Sequence, residues 1–468
     1  MGEAAPSGAG LRDLVERLLD AHPGELPYLA HGDDTVTRAQ VRSAVAWEAA
    51  VLAEHGVGEG HSVMLQIPPS YTQTEVLLAL WQLGAQVMLA DHRLKPAELA
   101  GLQELCRPQF LITADLPGRP PLGFQPRYEV VVSHRPGGLA AAGEHRLVQF
   151  SSGSTGVPKV IGRTTASLEA ELQAFAGIEG MPTRGERVLL LSSTAHSFGL
   201  IAGLLHSLAV GAEVVFARRV SARDILADAE QHAVHAVFGA PFHYELLSTA
   251  RALPALPALR AAVSGGEIMP PETAERFAER FGVRVGESYG TTETGVIAMD
   301  VSGASRPAVG RAAPGVRLRI VDDALEVRLP EGTPYLFGSG GDRYADGWLR
   351  THDRAELDAD GGVRLRGRSD SVVVIGGLKL DLAEVEAVLL RHPGVTAAVV
   401  VHGGATEAYV STVAEGGPSA AELLRWCQDR LADYKAPRSV RVVPDLPRTP
   451  NGKLVRRRDV LLPLSPDH

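Results

Sequence analysis

The chain has 468 residues, too many for one hydrophobic core, so two or more domains are expected. Its 45% hydrophobic and 22% charged residues are those of an ordinary globular protein. A formal charge of −9 argues against general attraction to nucleic acid or to an anionic membrane, with Arg456-Arg457-Arg458 as a local exception. The two cysteines, Cys106 and Cys427, stand far apart without CxxC or metal-ligand spacing, so neither a disulfide framework nor a structural zinc site is expected. Cys427, in ELLRWCQDRL, has the spacing of a buried helix face. The N-terminus has no basic region followed by an apolar run, and no apolar stretch is long enough to span a bilayer. A cytoplasmic protein without a membrane span is expected.

Helical spacing is present over residues 9–22 and again from Thr37 to Ala53. Short apolar strands then alternate with amphipathic helices: strand Ser62–Ile67, helix Gln73–Gly84, strand Gln86–Ala90, helix Pro96–Cys106, strand Gln109–Thr113. This β-α-β-α rhythm predicts a mainly parallel sheet covered on both faces. Residues 115–146 are rich in Pro and Gly and read as a loop with one short strand. The rhythm resumes with strands at Leu147–Phe150, Arg187–Ser192, Ala212–Ala217, Ala233–Gly239 and Leu259–Ser264, and helices at Ala222–Gln231 and Pro271–Phe281. From about Val296 to Gly367 short strands and tight turns take over. Beyond Gly367 come a helix at Leu382–Arg391, strands at Ala397–Val401 and Tyr409–Ala414, and a helix at Ala420–Leu431. The expected division is 1–366 and 367–468, an α/β lobe of mainly parallel sheets with a β-rich subdomain, followed by a small α+β unit.

One stretch carries the clearest chemistry. The strand Leu147–Phe150 runs into Ser151, Ser152, Gly153, Ser154, Thr155 and Gly156, with Lys159 just beyond. Glycines at 153 and 156 permit backbone approaches that a Cβ forbids. Hydroxyls and free backbone N–H groups supply donors, and the lysine adds positive charge, as a loop wrapped around an oligophosphate requires. The pattern differs from GxxxxGK[ST], because Lys159 follows Pro158 and is not followed by Ser or Thr. A second site candidate is SYGTTETG (288–295), where a ring, threonines and a carboxylate gather at the carboxyl end of strand Arg284–Glu287, the edge at which open α/β sheets bind ligands.

SSGSTGVPK resembles the phosphate-loop signature of the adenylate-forming superfamily: acyl- and aryl-CoA synthetases, peptide-synthetase adenylation domains and luciferases. Further motifs follow in that superfamily's order, and the resemblance covers about residues 25–460. It is closest in style to the acyl- and aryl-CoA ligases, with a lobe shorter than usual mainly between Gly295 and Trp348. The resemblance implies a large ATP-binding lobe and a mobile cap. Ser288, Tyr289, Gly290 and Thr291 then belong to the nucleotide site, with Tyr289 near adenine, Thr292 at the α-phosphate and Glu293 binding Mg2+. Gly265, Gly266 and Glu267, in SGGE, would frame the adenine. Asp353 matches the carboxylate that holds the ribose hydroxyls, although His352 replaces the usual glycine and crowds the turn. Arg368 would reach the ribose, Asp370 would be the hinge, and Gly376 and Gly377 would line a thiol tunnel. Lys453, in LPRTPNGKLV, matches the C-terminal lysine that stabilises the charge of the transition state.

The segment STAHSFGLIAGLL (193–205) resembles the part of acyl- and aryl-CoA synthetases that carries a gate histidine, here His196. Peptide-synthetase domains for α-amino acids place an Asp in this region to pair the ammonium, and none stands here. An unpaired buried charge is very costly, so an acid without an α-amino group is expected. Ser197, Phe198, Ala202, Phe242, His243 and Val296 join His196 as candidate pocket residues. The implied reaction is ATP- and Mg2+-dependent formation of an acyl-adenylate with loss of pyrophosphate, then transfer to CoA or to the phosphopantetheine of a carrier protein. An amine or other non-thiol acceptor, and a non-catalytic nucleotide-binding homologue, are the readings left open.

Overall fold

The computed structural model describes residues 9–94, 96–115, 124–141, 143–151, 159–338, 343–368, 371–375, 378–413, 416–431, 435–449 and 453–464. These fall into two compact units, the first within Met1–Arg319, Glu326–Thr351 and Leu357–Arg364, the second within Ile320–Leu325, His352–Glu356 and Leu365–His468. The first unit opens with α1 (Ala9–Asp20), the hairpin β1 (Pro27–His31) and β2 (Asp34–Thr37), and α2 (Arg38–Glu54). Thr37 caps α2 in a reciprocal capping box with Gln40, which sets the start of that helix where the sequence pattern places it. Then follow β3 (Ser62–Gln66), α3 (Tyr71–Gln82), β4 (Gln86–Leu89), α4 (Pro96–Cys106), β5 (Phe110–Ala114), β6 (Val130–His134), β7 (His145–Ser151), β8 (Lys159–Thr164) and α5 (Thr165–Ala176).

β3, β4, β5 and β7 run parallel, with β6 and β8 antiparallel at the flanks. With the short strand Tyr335–Leu336 beside β8 they make a seven-stranded sheet. A second sheet is built from β9 (Arg187–Leu190), β10 (Glu213–Phe216), β11 (Ala236–Gly239), β12 (Ala261–Gly265), β13 (Val285–Thr291), β14 (Gly295–Asp300) and β15 (Arg311–Ala312) together with β1 and β2. Its order is β15-β14-β13-β12-β11-β9-β10-β1-β2, parallel from β13 to β1.

The strands are short apolar runs because both faces are covered. Side chains alternate between cores: Val63 and Leu65 share a core with α2, α3 and α5, whereas Met64 faces the one that contains Leu102 and Cys106 of α4. Likewise Val188 and Leu190 join the central core, while Leu189 packs with residues of α7 (Ala222–Gln231), α8 (Pro241–Ser248) and α9 (Pro271–Phe281), named after the short α6 (His206–Val210). The two sheets therefore sandwich a helical layer, as the predicted rhythm requires, with helices also outside each sheet. Between β9 and α6, residues Phe198–Leu205 form π-helical turns, which the sequence pattern did not signal.

The second unit centres on strand Val395–His402, antiparallel to Thr406–Thr412, which pairs in parallel with Ser439–Val442. Helices α10 (Leu382–Leu390) and α11 (Ala420–Gln428) cover one face through Val385, Leu389, Leu423 and Cys427. Both cysteines are free and buried, and burial pushes the Cys427 thiol up to about 11 and that of Cys106 up to about 12. Among the described residues no helix is long and apolar enough to cross a membrane.

Two histidines of the first unit are held neutral. Burial lowers His206 from 6.5 to about 4 while its Nε2 lies 3.3 Å from the Pro182 carbonyl. Burial lowers His243 to the same range, and its Nδ1 accepts the Ala240 N–H at 2.9 Å, a bond that protonation there would break. The folded state resists a proton that the unfolded chain accepts, so this stability is present above pH 6.5 and lost as pH falls toward 4. Each residue should cost about 2 kcal/mol at pH 5 relative to pH 7. Thermal unfolding followed between pH 7 and 5 should show the midpoint falling, with the slope reduced in His206→Gln.

Candidate active site

The parallel strands of the nine-stranded sheet end together. Gly239 lies opposite Ser264 and Gly265 opposite Ser288, so the SGGE and SYGTTETG segments share one carboxyl edge. Gly265 is required by packing: a Cβ there would stand 2.7 Å from the ring of Phe198. That ring is parallel to Phe238, with centroids 5.8 Å apart at 5°. The candidate adenine loop and the candidate acid segment are thus in direct contact. Gly266 takes φ +93°, a conformation that L side chains rarely adopt, and Glu267 is half-buried beside it.

β13 runs through Ser288, Tyr289 and Gly290 to Thr291 and folds back into β14, so the motif is an antiparallel hairpin rather than a strand followed by a loop. Thr291 and Gly295 face each other across the tip, and the Thr291 and Thr294 hydroxyls lie 3.0 Å apart. Thr292 is half-buried at this tip and Glu293 is buried. Oε1 of Glu293 accepts the Tyr335 hydroxyl at 3.0 Å and Nη1 of Arg343 at 3.1 Å. Burial, followed by the neighbouring Glu293 charge, raises the Tyr335 phenol well above its ordinary value, so it remains a donor at any working pH. The carboxylate is thereby oriented by one neutral and one charged donor.

On the seven-stranded sheet, Ser151 at the end of β7 pairs in register with Lys159 at the start of β8. Ser152, Gly153, Ser154, Thr155 and Gly156 lie outside the described residues, as do Asp370, Gly376 and Gly377.

His196 precedes the π-helical turns and its Nε2 lies 3.0 Å from Oδ2 of Asp91. The same carboxylate accepts the backbone N–H of Arg93 at 2.9 Å and its guanidinium at 3.0 and 2.7 Å. Burial alone would raise the Asp91 carboxyl, but the hydrogen bonds from His196 and Arg93 outweigh it and hold it far below the carboxylate range. A permanently ionised acceptor requires a hydrogen on Nε2 of His196. Ser197 donates to Oε1 of Gln149 at 2.6 Å, and Gln149 donates from Nε2 to the Ala195 carbonyl at 3.1 Å. Ala202 is packed in the central core, and the Val296 N–H is bound to Glu171. His243 caps α8, and exposed Phe242 lies against its ring at 3.8 Å.

In the second unit, Asp353 is buried and accepts Nη1 of Arg368 at 3.0 Å, which joins the two candidate ribose ligands to each other. His352 occupies φ +65°, the left-handed conformation that a glycine would take without strain. Lys453 is exposed, its carbonyl accepting the Thr449 N–H at 2.7 Å while Arg448 bridges Leu454.

Sequence reading missed Asp91, Arg93, Gln149, Tyr335 and Arg343. Asp91-His92-Arg93 begins two residues after a parallel strand, and charged residues at such a strand end are a usable signal. Tyr335 and Arg343 lie 42 and 50 residues beyond Glu293, with nothing local to mark them.

Glycine-bearing segments and a donor-clamped carboxylate gather at the carboxyl edge of a largely parallel sheet, the edge at which open α/β proteins bind ligands. The chain belongs to the AMP-binding enzyme family: that family's model matches residues 15–339, and the AMP-binding enzyme C-terminal domain matches 384–453. The adenylate-forming resemblance of its motifs therefore holds. The p-hydroxybenzoic acid–AMP ligase FadD22 of Mycobacterium tuberculosis is 28% identical over 472 residues, covering 90% of this chain and 64% of that protein. The chain thus spans under two thirds of that relative's length. It shares its fold with the anthranilate CoA ligase AuaEII in complex with anthranoyl-AMP (TM-score 0.80, 24% identity, 97% of each chain). It also shares it with the amide bond synthetase McbA of Marinactinospora thermotolerans (TM-score 0.80, 24% identity, 96% of this chain and 99% of that one).

Left-handed backbone at a residue with a Cβ costs about 1 kcal/mol, so His352→Gly should raise the unfolding midpoint of the second unit by a few degrees. Calorimetry on the variant checks this, and a lower midpoint would mean that contacts of the imidazole outweigh the strain.

Proposed function

We propose that the chain activates a carboxylic acid lacking an α-amino group, an aryl or short acyl acid, as its adenylate with release of pyrophosphate, and then passes the acyl group to a thiol, either CoA or a carrier-protein pantetheine. The observation that carries the reading is the Glu293 carboxylate, buried at a hairpin tip with its Oε1 fixed by Tyr335 and Arg343. Among the described residues no group of three or more acidic, His or Cys side chains could hold a metal ion by itself. One carboxylate suits Mg2+, which is bound through one or two carboxylates plus substrate phosphates. Oε2 of Glu293 is the oxygen it would take, and the bound ion would neutralise phosphate charge.

The chain's own residues do the rest. Lys159 meets the phosphates from the start of β8, and Ser288, Tyr289, Thr291 and Thr292 line the nucleotide from β13 and its turn. Asp353 and Arg368 hold the ribose. Attack of the carboxylate on the α-phosphorus builds negative charge on non-bridging oxygens, and Lys453 meets it, an electrostatic contact worth about 3 kcal/mol or more. For the acid, the pairing of Asp91 with Arg93 supports a substrate without an ammonium group, since the carboxylate that binds His196 already has its cation. The name of the mycobacterial relative supports an aryl acid. Thiol transfer would follow rotation of the C-terminal unit about Asp370, with Gly376 and Gly377 beside the thiol.

An ATP–pyrophosphate exchange screen over aryl, acyl and amino acids tests the first half, and competition between CoA, pantetheine and amines tests the second. Exchange with no acid would end the reading, and an amide product would redirect it to a non-thiol acceptor. Lys453→Ala should lower exchange about a hundredfold yet spare thiolysis of supplied acyl-adenylate. Glu293→Ala should raise the Mg2+ concentration for half-maximal exchange about tenfold, and an unchanged Mg2+ curve would remove the metal role.

A further inference from the structure

Four residues along β8 from Lys159 stands Arg163, whose side chain is 4% exposed. Its Nε donates to Ser167 Oγ at 3.0 Å and its Nη2 to the Ser167 carbonyl at 3.1 Å. Nη2 also lies 2.9 Å from Oε2 of Glu171 on α5, whose side chain is 6% exposed, as an ion pair without the angle of a directed hydrogen bond. The other oxygen, Oε1, accepts the backbone N–H of Val296 at 2.9 Å. Gly295 takes φ +70°, and a Cβ there would stand 2.3 Å from Oε2 of Glu171. The carboxylate therefore fills the space that any side chain at 295 would need, and the backbone just past Glu293 rests on it.

Such a pair is a poor source of stability, because desolvating two charges offsets their attraction. It does fix one distance between strands that belong to different sheets, β8 in the seven-stranded sheet and β14 in the nine-stranded one. β8 begins with Lys159, and β14 begins two residues after Glu293. We infer that Arg163 and Glu171 are a positioning pair that holds the phosphate-binding lysine and the metal-binding carboxylate in register across the two sheets. This rests on the nucleotide roles proposed for Lys159 and Glu293, and it makes MgATP affinity, rather than acid affinity, the property the pair controls.

The test is the double variant Arg163→Met/Glu171→Gln. It removes both charges together, so neither is left buried alone, and it keeps an amide oxygen for the Val296 N–H. MgATP binding is measured by calorimetry, exchange kinetics against MgATP and acid separately, and folding by thermal unfolding. The expected result is a folded protein whose MgATP dissociation constant and KM rise about tenfold or more, with the KM for the acid within about twofold of wild type. MgATP affinity within about twofold of wild type, or equal losses for ATP and acid, would overturn the inference. Should the double variant not fold, Arg163→Lys keeps the charge with a shorter reach and no fork. A weakened MgATP affinity in the folded lysine variant supports the pair, and a wild-type affinity overturns it. Wild-type protein that binds MgATP but exchanges with no acid sinks the proposed reaction while leaving this binding test readable, whereas wild type that binds no MgATP sinks both.

Discussion

A carboxylate stays charged inside a protein only where donors have been built around it. That constraint organises the edge of the first unit that carries the candidate site. Glu293 is buried because the hairpin that carries it folds back over its own strand, and its charge is met by Tyr335 and Arg343. Tyr335 belongs to the short strand beside β8, on the other sheet. The orientation of one oxygen pair thus depends on both sheets keeping their places. Gly290 reflects the same crowding: a Cβ there would come within 2.4 Å of the Gly295 carbonyl, so the hairpin closes only with a bare backbone at that position.

Much of this was legible in the sequence. Parallel strands buried on both faces cannot hide their apolar runs, and α4, α7 and α9 begin and end at the residues their spacing predicts. The single strand expected in the Pro- and Gly-rich stretch is β6. Glycine-rich motifs at strand ends were legible for a different reason, since close backbone approach restricts what can stand there. What could not be read was anything set by distant pairing. Arg343 and Tyr335 carry no local pattern that points to Glu293. The hairpin nature of SYGTTETG depends on β15 and β12 flanking it, and the π-helical turns at Phe198–Leu205 on how that apolar segment fits between the sheets.

Two motif residues behave differently from their neighbours for physical reasons. His352 stands where the resembling motif has glycine, and it takes the left-handed conformation within strand Trp348–Leu357, beside the Asp353 that accepts Arg368. That conformation is imposed by the strand around it against the residue's own preference. His243 illustrates the opposite case. As a polar residue in an apolar stretch it invited a role in the pocket, yet its Nδ1 is used by the first turn of α8. A side chain that satisfies a helix terminus is not thereby excluded from a second contact through Nε2. It is, however, held in one tautomer and one rotamer.

The Asp91 cluster carries the argument about substrate further than the motif comparison did. Reading residues 193–205 alone, the missing acid could be taken only as an absence. The fold brings an acid to that segment from β4's carboxyl end, and a buried acid beside a candidate substrate segment would ordinarily suggest a cationic substrate. Its electrostatics point the other way. Arg93 grips the carboxylate through a fork and a backbone N–H from two residues on, and His196 takes a further lone pair. An incoming ammonium would have to displace a guanidinium from a buried partner, a poor exchange in a low-dielectric site. The charge is therefore better understood as orienting the imidazole, with Nε2–H toward Asp91, than as waiting for a ligand. A neutral or anionic acid would meet no uncompensated charge from this cluster, and that physical condition, more than the absence of a motif residue, supports the proposed substrate class, an acid without an α-amino group.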